Sequence, residues 1–287
     1  MYNTSSVGRL RCSFRLPGNA KALHSGASDE ASAPRFFLYV SEPKTIESLL
    51  MGLGGIICKI MAGQGLKYNV DIVMCIDCTG SMGDLLDTVK TNALKFYPDL
   101  KERCDAKGKE ISELRIRVIG FRDFYADEAS AIQDSGFYNI PDQEGEFKRF
   151  VNDLRPAGGG DEPENGLEAL AMAINSDWTN GGDKRRHVIV VWSDASTHPI
   201  GLDKCKNEYY PQDMPNDFNE LTDWWNLRQG GRMNFNAERL IVFAPDASAW
   251  TEIGINWDNT IHHTAKAGMG LTEIDYETIM AAIVESV

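Results

Sequence analysis

Long apolar runs are missing from this 287-residue chain. Leu49 to Cys58 extends only ten residues before Lys59 interrupts it. That is half of the ~20 apolar residues a membrane-spanning helix needs, so no membrane span is expected. Basic surface is scarce as well. The net charge is −13, and it is unevenly spread. Residues 1–66 carry seven Lys/Arg against four Asp/Glu, or +3, whereas the remainder carries 22 against 38, or −16. A body this acidic repels nucleic acid and anionic membranes, and no basic groove is visible in it. The short Lys184-Arg185-Arg186 run precedes an apolar stretch and reads as a solvated loop. Cysteine is too sparse for a disulfide framework. Of the six, Cys75-x-x-Cys78 is the lone close pair, with no second pair to complete a zinc site. Free thiols are expected, which points to a reducing compartment and a cytoplasmic location. No G-x-x-x-x-G-K-[S/T] phosphate loop is present, and the five histidines are scattered.

What is present suits one large α/β domain with an appendage. Residues 1–35 are rich in Ser, Ala and Gly, with four basic residues and no acid before Asp29. They read as a flexible tail; a targeting peptide, or a natural start at Met51 or Met61, are the alternatives. Residues 36–66 read as a partly ordered extension, with a strand over Phe36 to Val40 and a Gly-weakened helix over Ile46 to Met61. From residue 67 onward, strand and helix patterns alternate, which argues for a parallel sheet covered by helices on both faces. Strands are expected at Val70–Ile76, Leu114–Phe121, Gly136–Ile140 (a short edge strand), His187–Ser193, Arg239–Ala244 and Asn259–Thr264. Helices are expected at Asp84–Lys107, Glu144–Leu154, Pro163–Asn175, Phe218–Arg228, Ala247–Ile255 and Asp275–Glu285. Pro98 is expected to kink or shorten the first of them.

Three segments carry candidate chemistry. Asp77-Cys78-Thr79-Gly80-Ser81-Met82 follows the buried-type strand Val70–Ile76, so a strand ends in a carboxylate with hydroxyls two and four residues on. Gly158-Gly159-Gly160-Asp161-Glu162-Pro163-Glu164-Asn165-Gly166 precedes a helix. His187–Ser193 is a second buried-type strand, leading into Asp194. The carboxyl ends of strands are where open α/β sheets bind ligands. An oxygen-only donor set suits a hard divalent cation such as magnesium rather than zinc. Each piece alone has a bland reading, as a capping Asp, a flexible glycine turn or another cap. Their order and matching contexts favour a joint site.

Taken together, the segments resemble the von Willebrand factor A (vWA) domain, whose D-x-[S/T]-x-S motif forms a metal-ion-dependent adhesion site. The D-C-T-G-S-M and G-G-G-D-x-P-E forms resemble the hemicentin-like and alpha-kinase-associated branch, over roughly Asn69 to the C-terminus. The resemblance implies a Rossmann-like, doubly wound, mostly parallel six-stranded sheet. It implies Mg2+, with Mn2+ or Ca2+ as substitutes, held by Asp77, Thr79, Ser81, Asp161 and Asp194. Asp161 stands where the family usually has Thr. The added negative charge makes the cation a weaker electrophile, so a neutral or basic ligand is as suitable as the usual acidic one. The implied function is a non-enzymatic, metal-dependent protein-binding module, an intracellular adaptor or regulatory component. An unidentified protein partner would bind over the metal site and the polar, aromatic 197–215 loop.

A competing reading compares Asp77-Cys78-Thr79-Gly80-Ser81 with the nucleophile motif of haloacid-dehalogenase-type phosphatases, in which Asp77 would attack phosphorus. That chemistry needs a Lys and a late acidic pair at strand ends, and neither is placed convincingly. Asp123 is expected either in the metal's outer surroundings or in a salt bridge with Arg122 or Arg117. His198 is close enough to Asp194 to line the site. His262 and His263 read as packing or surface residues.

Overall fold

In a computed structural model, described residues are 66–159, 162–202, 208–226, 233–266 and 275–287. The tail, the extension and their expected strand and helix lie outside them.

Six strands form one mixed sheet in the order β3-β2-β1-β4-β5-β6. They are β1 (Leu66–Asp77), β2 (Lys109–Phe121), β3 (Ile132–Ile140), β4 (Lys184–Trp192), β5 (Glu238–Pro245) and β6 (Thr260–Ala265). All pairings are parallel except β2 with β3, which is antiparallel. The sheet is therefore not wholly parallel. A short connection through residues 122–131 allows β3 to fold straight back on β2, whereas a parallel return needs a long crossover. The helices are α1 (Gly83–Ala106), α2 (Phe124–Asp127), α3 (Glu144–Asp153), α4 (Gly166–Ile174), α5 (Phe218–Trp225), α6 (Ser248–Asn256) and α7 (Tyr276–Ser286).

Side chains alternate across β1 and feed two cores. Val70, Ile72, Met74 and Ile76 join one with α1, α3 and α7, while Val73 and Cys75 join the other with α4, α5 and α6. This double burial explains why β1 and β4 read as continuous apolar runs. The exception, Asp71, is 1% exposed. Arg115 grips it through two hydrogen bonds, and the Thr179 amide donates to it at 2.7 Å.

Expected and observed elements agree closely, with three instructive differences. Lys184-Arg185-Arg186, expected as a solvated loop, opens β4 and pairs with Tyr68, Asn69 and Val70 of β1. Helix α1 does not end at Pro98, which lies inside its 24 residues. Helix α4 starts at Gly166 rather than Pro163 because Glu164 pairs instead with the 196–198 segment. Its amide donates to Ser196, its carbonyl accepts from His198, and it bridges to Thr197. Gly166 itself has no room for a side chain, since a Cβ there would lie 2.6 Å from Trp250 Cζ2.

Chain growth reverses beside β1. The sheet extends through β2 and β3 on one side and through β4, β5 and β6 on the other. Asp77 and Asp194 lie at the carboxyl ends of the two strands flanking that switch, with Ile76 in register with Trp192.

Candidate cation site at the ends of β1 and β4

The β1–α1 turn begins as a local hydrogen-bonding unit. Asp77 Oδ1 accepts from the Thr79 amide at 2.9 Å and from Thr79 Oγ1 at 2.6 Å. An Asp bonding the backbone two residues on stabilises a turn, and here it stops the strand. From the neighbouring strand end, Ser193 Oγ donates to Asp77 Oδ2 at 2.8 Å. Thr79 Oγ1 lies 3.3 Å from Ser81 Oγ, and Ser81 Oγ donates to Asp194 Oδ1 at 2.9 Å. The Thr79 hydroxyl is thus bonded to Asp77 and the Ser81 hydroxyl to Asp194, and the contact between the two hydroxyl oxygens brings all four residues into one cluster. Asp77, Thr79 and Asp194 are buried, while Gly80 and Ser81 are exposed and mark the side facing solvent. Asp161 lies outside the described residues.

The glycine loop is shaped, rather than merely flexible. Gly158 and Gly159 have φ of +70° and +88°, in the left-handed region that favours glycine. Asp127 at the end of α2 accepts from the Gly159 amide at 2.9 Å. A Cβ on Gly159 would fall 2.6 Å from Thr79 Cγ2 and 2.7 Å from Glu164 Oε1. Gly159 therefore separates the Thr79 hydroxyl turn from a second buried carboxylate. Glu164 is only 5% exposed, and its Oε2 has no hydrogen-bond partner.

Sequence reasoning missed Ser193, the depth of Glu164, and the roles of Asp127 and Arg122. Of the two expectations for Asp123, the salt bridge with Arg122 or Arg117 does not form. Arg122 does not pair with Asp123. It is 4% exposed and donates to three carbonyls, of Cys78, Ser130 and Arg155. Arg117 pairs with Asp134. Asp123 instead faces His198, whose Nε2 lies 3.5 Å from its carboxylate, and it caps α2 through the Tyr125 amide. His198 thus meets the acidic group through Asp123. His262 and His263 are packing residues: His262 contacts the Ala244 carbonyl, and His263 stacks on Phe243. In the 197–215 loop, only one of the two tyrosines is available as a contact surface. Tyr209 is exposed, whereas Tyr210 is buried and donates to Glu168. Most of these partners are separated by tens of residues, so no local pattern marks them.

Charge crowding dominates the electrostatics. Burial raises the Asp77 carboxyl to about 6; hydrogen bonds from Thr79 and Ser193 oppose the rise, and Asp194 adds to it. Burial, followed by Asp77, Asp123, Asp127 and Asp194, raises Glu164 to about 9. Burial also pushes the Cys75 and Cys78 thiols up to about 12, so they stay protonated and unsuited to redox or zinc chemistry.

Both carboxyl shifts are upward, so the folded metal-free protein holds protons that the unfolded chain releases. Its stability is then highest on the acid side and falls as pH rises from the ordinary carboxylate range through about 6 and on toward about 9. With chelator present, the melting temperature is expected to drop between about pH 5 and about pH 8, and saturating Mg2+ should flatten the decline. Identical profiles with and without the cation would refute this crowding as the cause.

The donors fit a hard cation. Carboxylate and hydroxyl oxygens converge, with no sulfur or imidazole among them, and Glu164 offers a buried oxygen without a partner. Among the described residues, no three His, Cys, Asp or Glu side chains close on one point as a metal cluster.

No family model matches the chain. Over 147 residues, 51% of its length, it is 25% identical to the alpha-protein kinase vwkA of Dictyostelium discoideum. The match covers 21% of that protein. Among solved structures, the pilus adhesin SpaC from Lactobacillus rhamnosus GG is similar at a TM-score of 0.48 and 8% identity, covering 76% of this chain and 30% of that one. Proximal thread matrix protein 1 from the mussel byssus follows at 0.39 and 11%, covering 76% and 49%. Among the described residues, no helix is long and apolar enough to cross a membrane.

Proposed function

We propose that the chain is a non-enzymatic, cation-dependent protein-binding module of the vWA kind, built on a doubly wound sheet. Asp77, Thr79, Ser81 and Asp194 would hold Mg2+, with Mn2+ or Ca2+ as substitutes and Asp161 as the further contact expected from sequence. Bound there, the cation would supply a fixed positive charge and a coordination position for a partner's oxygen. The observation that carries this reading is the cluster of oxygens from Asp77, Thr79, Ser81 and Asp194, linked by hydrogen bonds and one 3.3 Å contact, across two strand ends that are more than a hundred residues apart. The similarity to an alpha-protein kinase agrees with the branch suggested by the motifs, although the chain spans about a fifth of that relative.

The chain's own residues do three things at such a site. Asp77 orients the Thr79 hydroxyl, Ser193 fixes the Asp77 carboxylate, and Ser81 links Asp194 to the exposed rim. Beside the rim, Thr197, His198, Ile200, Asp217, Phe218 and Glu252 line a cleft. Its two acids, and the Asp123, Asp127 and Glu164 carboxylates nearby, favour a neutral or basic partner segment by charge complementarity. A cytoplasmic adaptor with no nucleic-acid partner is consistent with this acidity. The phosphoryl-transfer alternative lacks a Lys and a late acidic pair at strand ends, and it gives the glycine loop no role.

Isothermal titration with Mg2+, Mn2+ and Ca2+ tests the reading directly. Saturable binding at millimolar metal or below is expected, and silence in all three titrations would overturn it. Affinity capture in Mg2+, repeated in chelator, should then recover partners only in the first case.

A further inference from the structure

Glu164 is a strongly buried carboxylate beside the candidate site that the donor set does not use, and its Oε2 has no hydrogen-bond partner. Its backbone has no freedom to withdraw. The amide is tied to Ser196, the carbonyl to His198, and the residue bridges to Thr197. Helix α4 begins two residues later, packed by Gly166 against Trp250. The carboxylate therefore sits on a rigid support, pointing back at the β1–α1 turn. The glycine loop fixes that direction, since a Cβ on Gly159 would lie 2.6 Å from Thr79 Cγ2 and 2.7 Å from Glu164 Oε1.

Nothing among the described residues compensates this arrangement. No Lys or Arg forms an ion pair with Glu164, and its Oε2 is buried without a hydrogen-bond partner. A buried polar atom left unpaired costs free energy, and a buried carboxylate more so, unless something absent from the chain itself completes it. Asp77, Asp194 and Glu164 do not themselves close on a single point. A cation-bound water spans that gap naturally, because Mg2+ sheds its waters reluctantly and usually keeps several.

Building on the cation site proposed above, we infer that Glu164 is a further determinant of cation affinity, accepting a hydrogen bond from water on a divalent ion held by Asp77, Thr79, Ser81 and Asp194. The role is positioning. Glu164 orients a water and adds negative charge on the side of the site formed by the glycine loop. Gly159 is then glycine for a reason tied to function, since any side chain there would come between Thr79 and Glu164.

The test is Mg2+ titration of the wild-type chain, Glu164→Gln and Asp77→Asn by calorimetry, with circular dichroism as a check on folding. Gln has the shape of Glu without its charge. Glu164→Gln is expected to bind Mg2+ about 10–100-fold more weakly, the usual cost of removing a partner that orients a metal's ligands, and to melt no lower than wild type in chelator. If Glu164→Gln binds Mg2+ within about twofold of wild type while Asp77→Asn does not bind, the inference fails and the cation site stands. If the wild-type chain itself binds no Mg2+, both fail together. Should Glu164→Gln prove misfolded, Glu164→Asp provides the second measurement. Its carboxylate is one carbon shorter, and wild-type affinity in that variant would also overturn the inference.

Discussion

Asp77→Asn is expected to abolish Mg2+ binding while leaving the sheet folded. Asp77 is the hub of the site, joined to Thr79 by two hydrogen bonds and to Ser193 by a third. Removing a mere partner of a metal ligand costs ~10–100-fold in affinity, so loss of the central carboxylate should exceed about 100-fold. The fold should survive because the substitution also removes a buried charge. An uncompensated carboxylate destabilises the metal-free protein, whereas a neutral amide of the same shape still offers an oxygen to Thr79. The expected result is a flat calorimetric trace, unchanged circular dichroism, loss of cation-dependent partner capture, and a melting temperature in chelator at least equal to wild type. Wild-type Mg2+ affinity in this variant would dismantle the site assignment. The same variant separates the alternative chemistry. If the wild-type chain turned over an aryl phosphate with Mg2+ and Asp77→Asn did not, the protein would be a phosphoryl-transfer enzyme.

Arg122→Ala should produce the largest loss of stability among the polar residues around the site. The guanidinium is buried, and each of its three nitrogens serves a different loop. Nε donates to the Cys78 carbonyl at 3.0 Å, Nη1 to Ser130 at 2.7 Å and Nη2 to Arg155 at 2.7 Å. Truncation leaves the Ser130 and Arg155 carbonyls without their donor, while the Cys78 carbonyl keeps only the Ala157 amide at 3.0 Å. Each unsatisfied buried group costs ~1–3 kcal/mol, so a loss of about 3–5 kcal/mol is expected even after partial relaxation. For a domain of this size that corresponds to a melting temperature lower by about 10 °C. Lysine is no substitute, because a single ammonium cannot reach three carbonyls in the fixed planar geometry of the fork. Cys78 lies between Asp77 and Thr79, so cation affinity should fall with stability. A melting temperature within about 2 °C of wild type would show that the loops hold together without Arg122.

The two variants illustrate different degrees of legibility. Asp77, Thr79 and Ser81 were readable because they lie within five residues of one another and follow an apolar strand. Asp194 was readable because β4 repeats the same pattern of a buried run ending in a carboxylate. Arg122 was not readable. Its partners come from three loops, and in sequence it looks like any arginine beside an aspartate. A salt bridge with Asp123, one of the alternatives expected, followed from adjacency, but neighbouring side chains at a strand end diverge, and Asp123 faces His198 instead. The start of α4 was misjudged for a similar reason. Pro163 signals a helix N-terminus, but Glu164 finds backbone partners in the 196–198 segment and remains extended.

Periodicity and strand-end chemistry in the sequence alone determined the alternation of strands and helices, the doubly buried character of β1 and β4, and the placement of carboxylate and hydroxyl side chains at their ends. These properties depend on neighbours within a few positions. Tertiary structure decided the antiparallel turn-back of β3, the span of Arg122 across three loops, and the burial of Glu164 against Thr79 with one oxygen unpaired. Each depends on which distant segments meet at the switch between β1 and β4. Burial and charge crowding are properties of that meeting place, and no single stretch of chain encodes them.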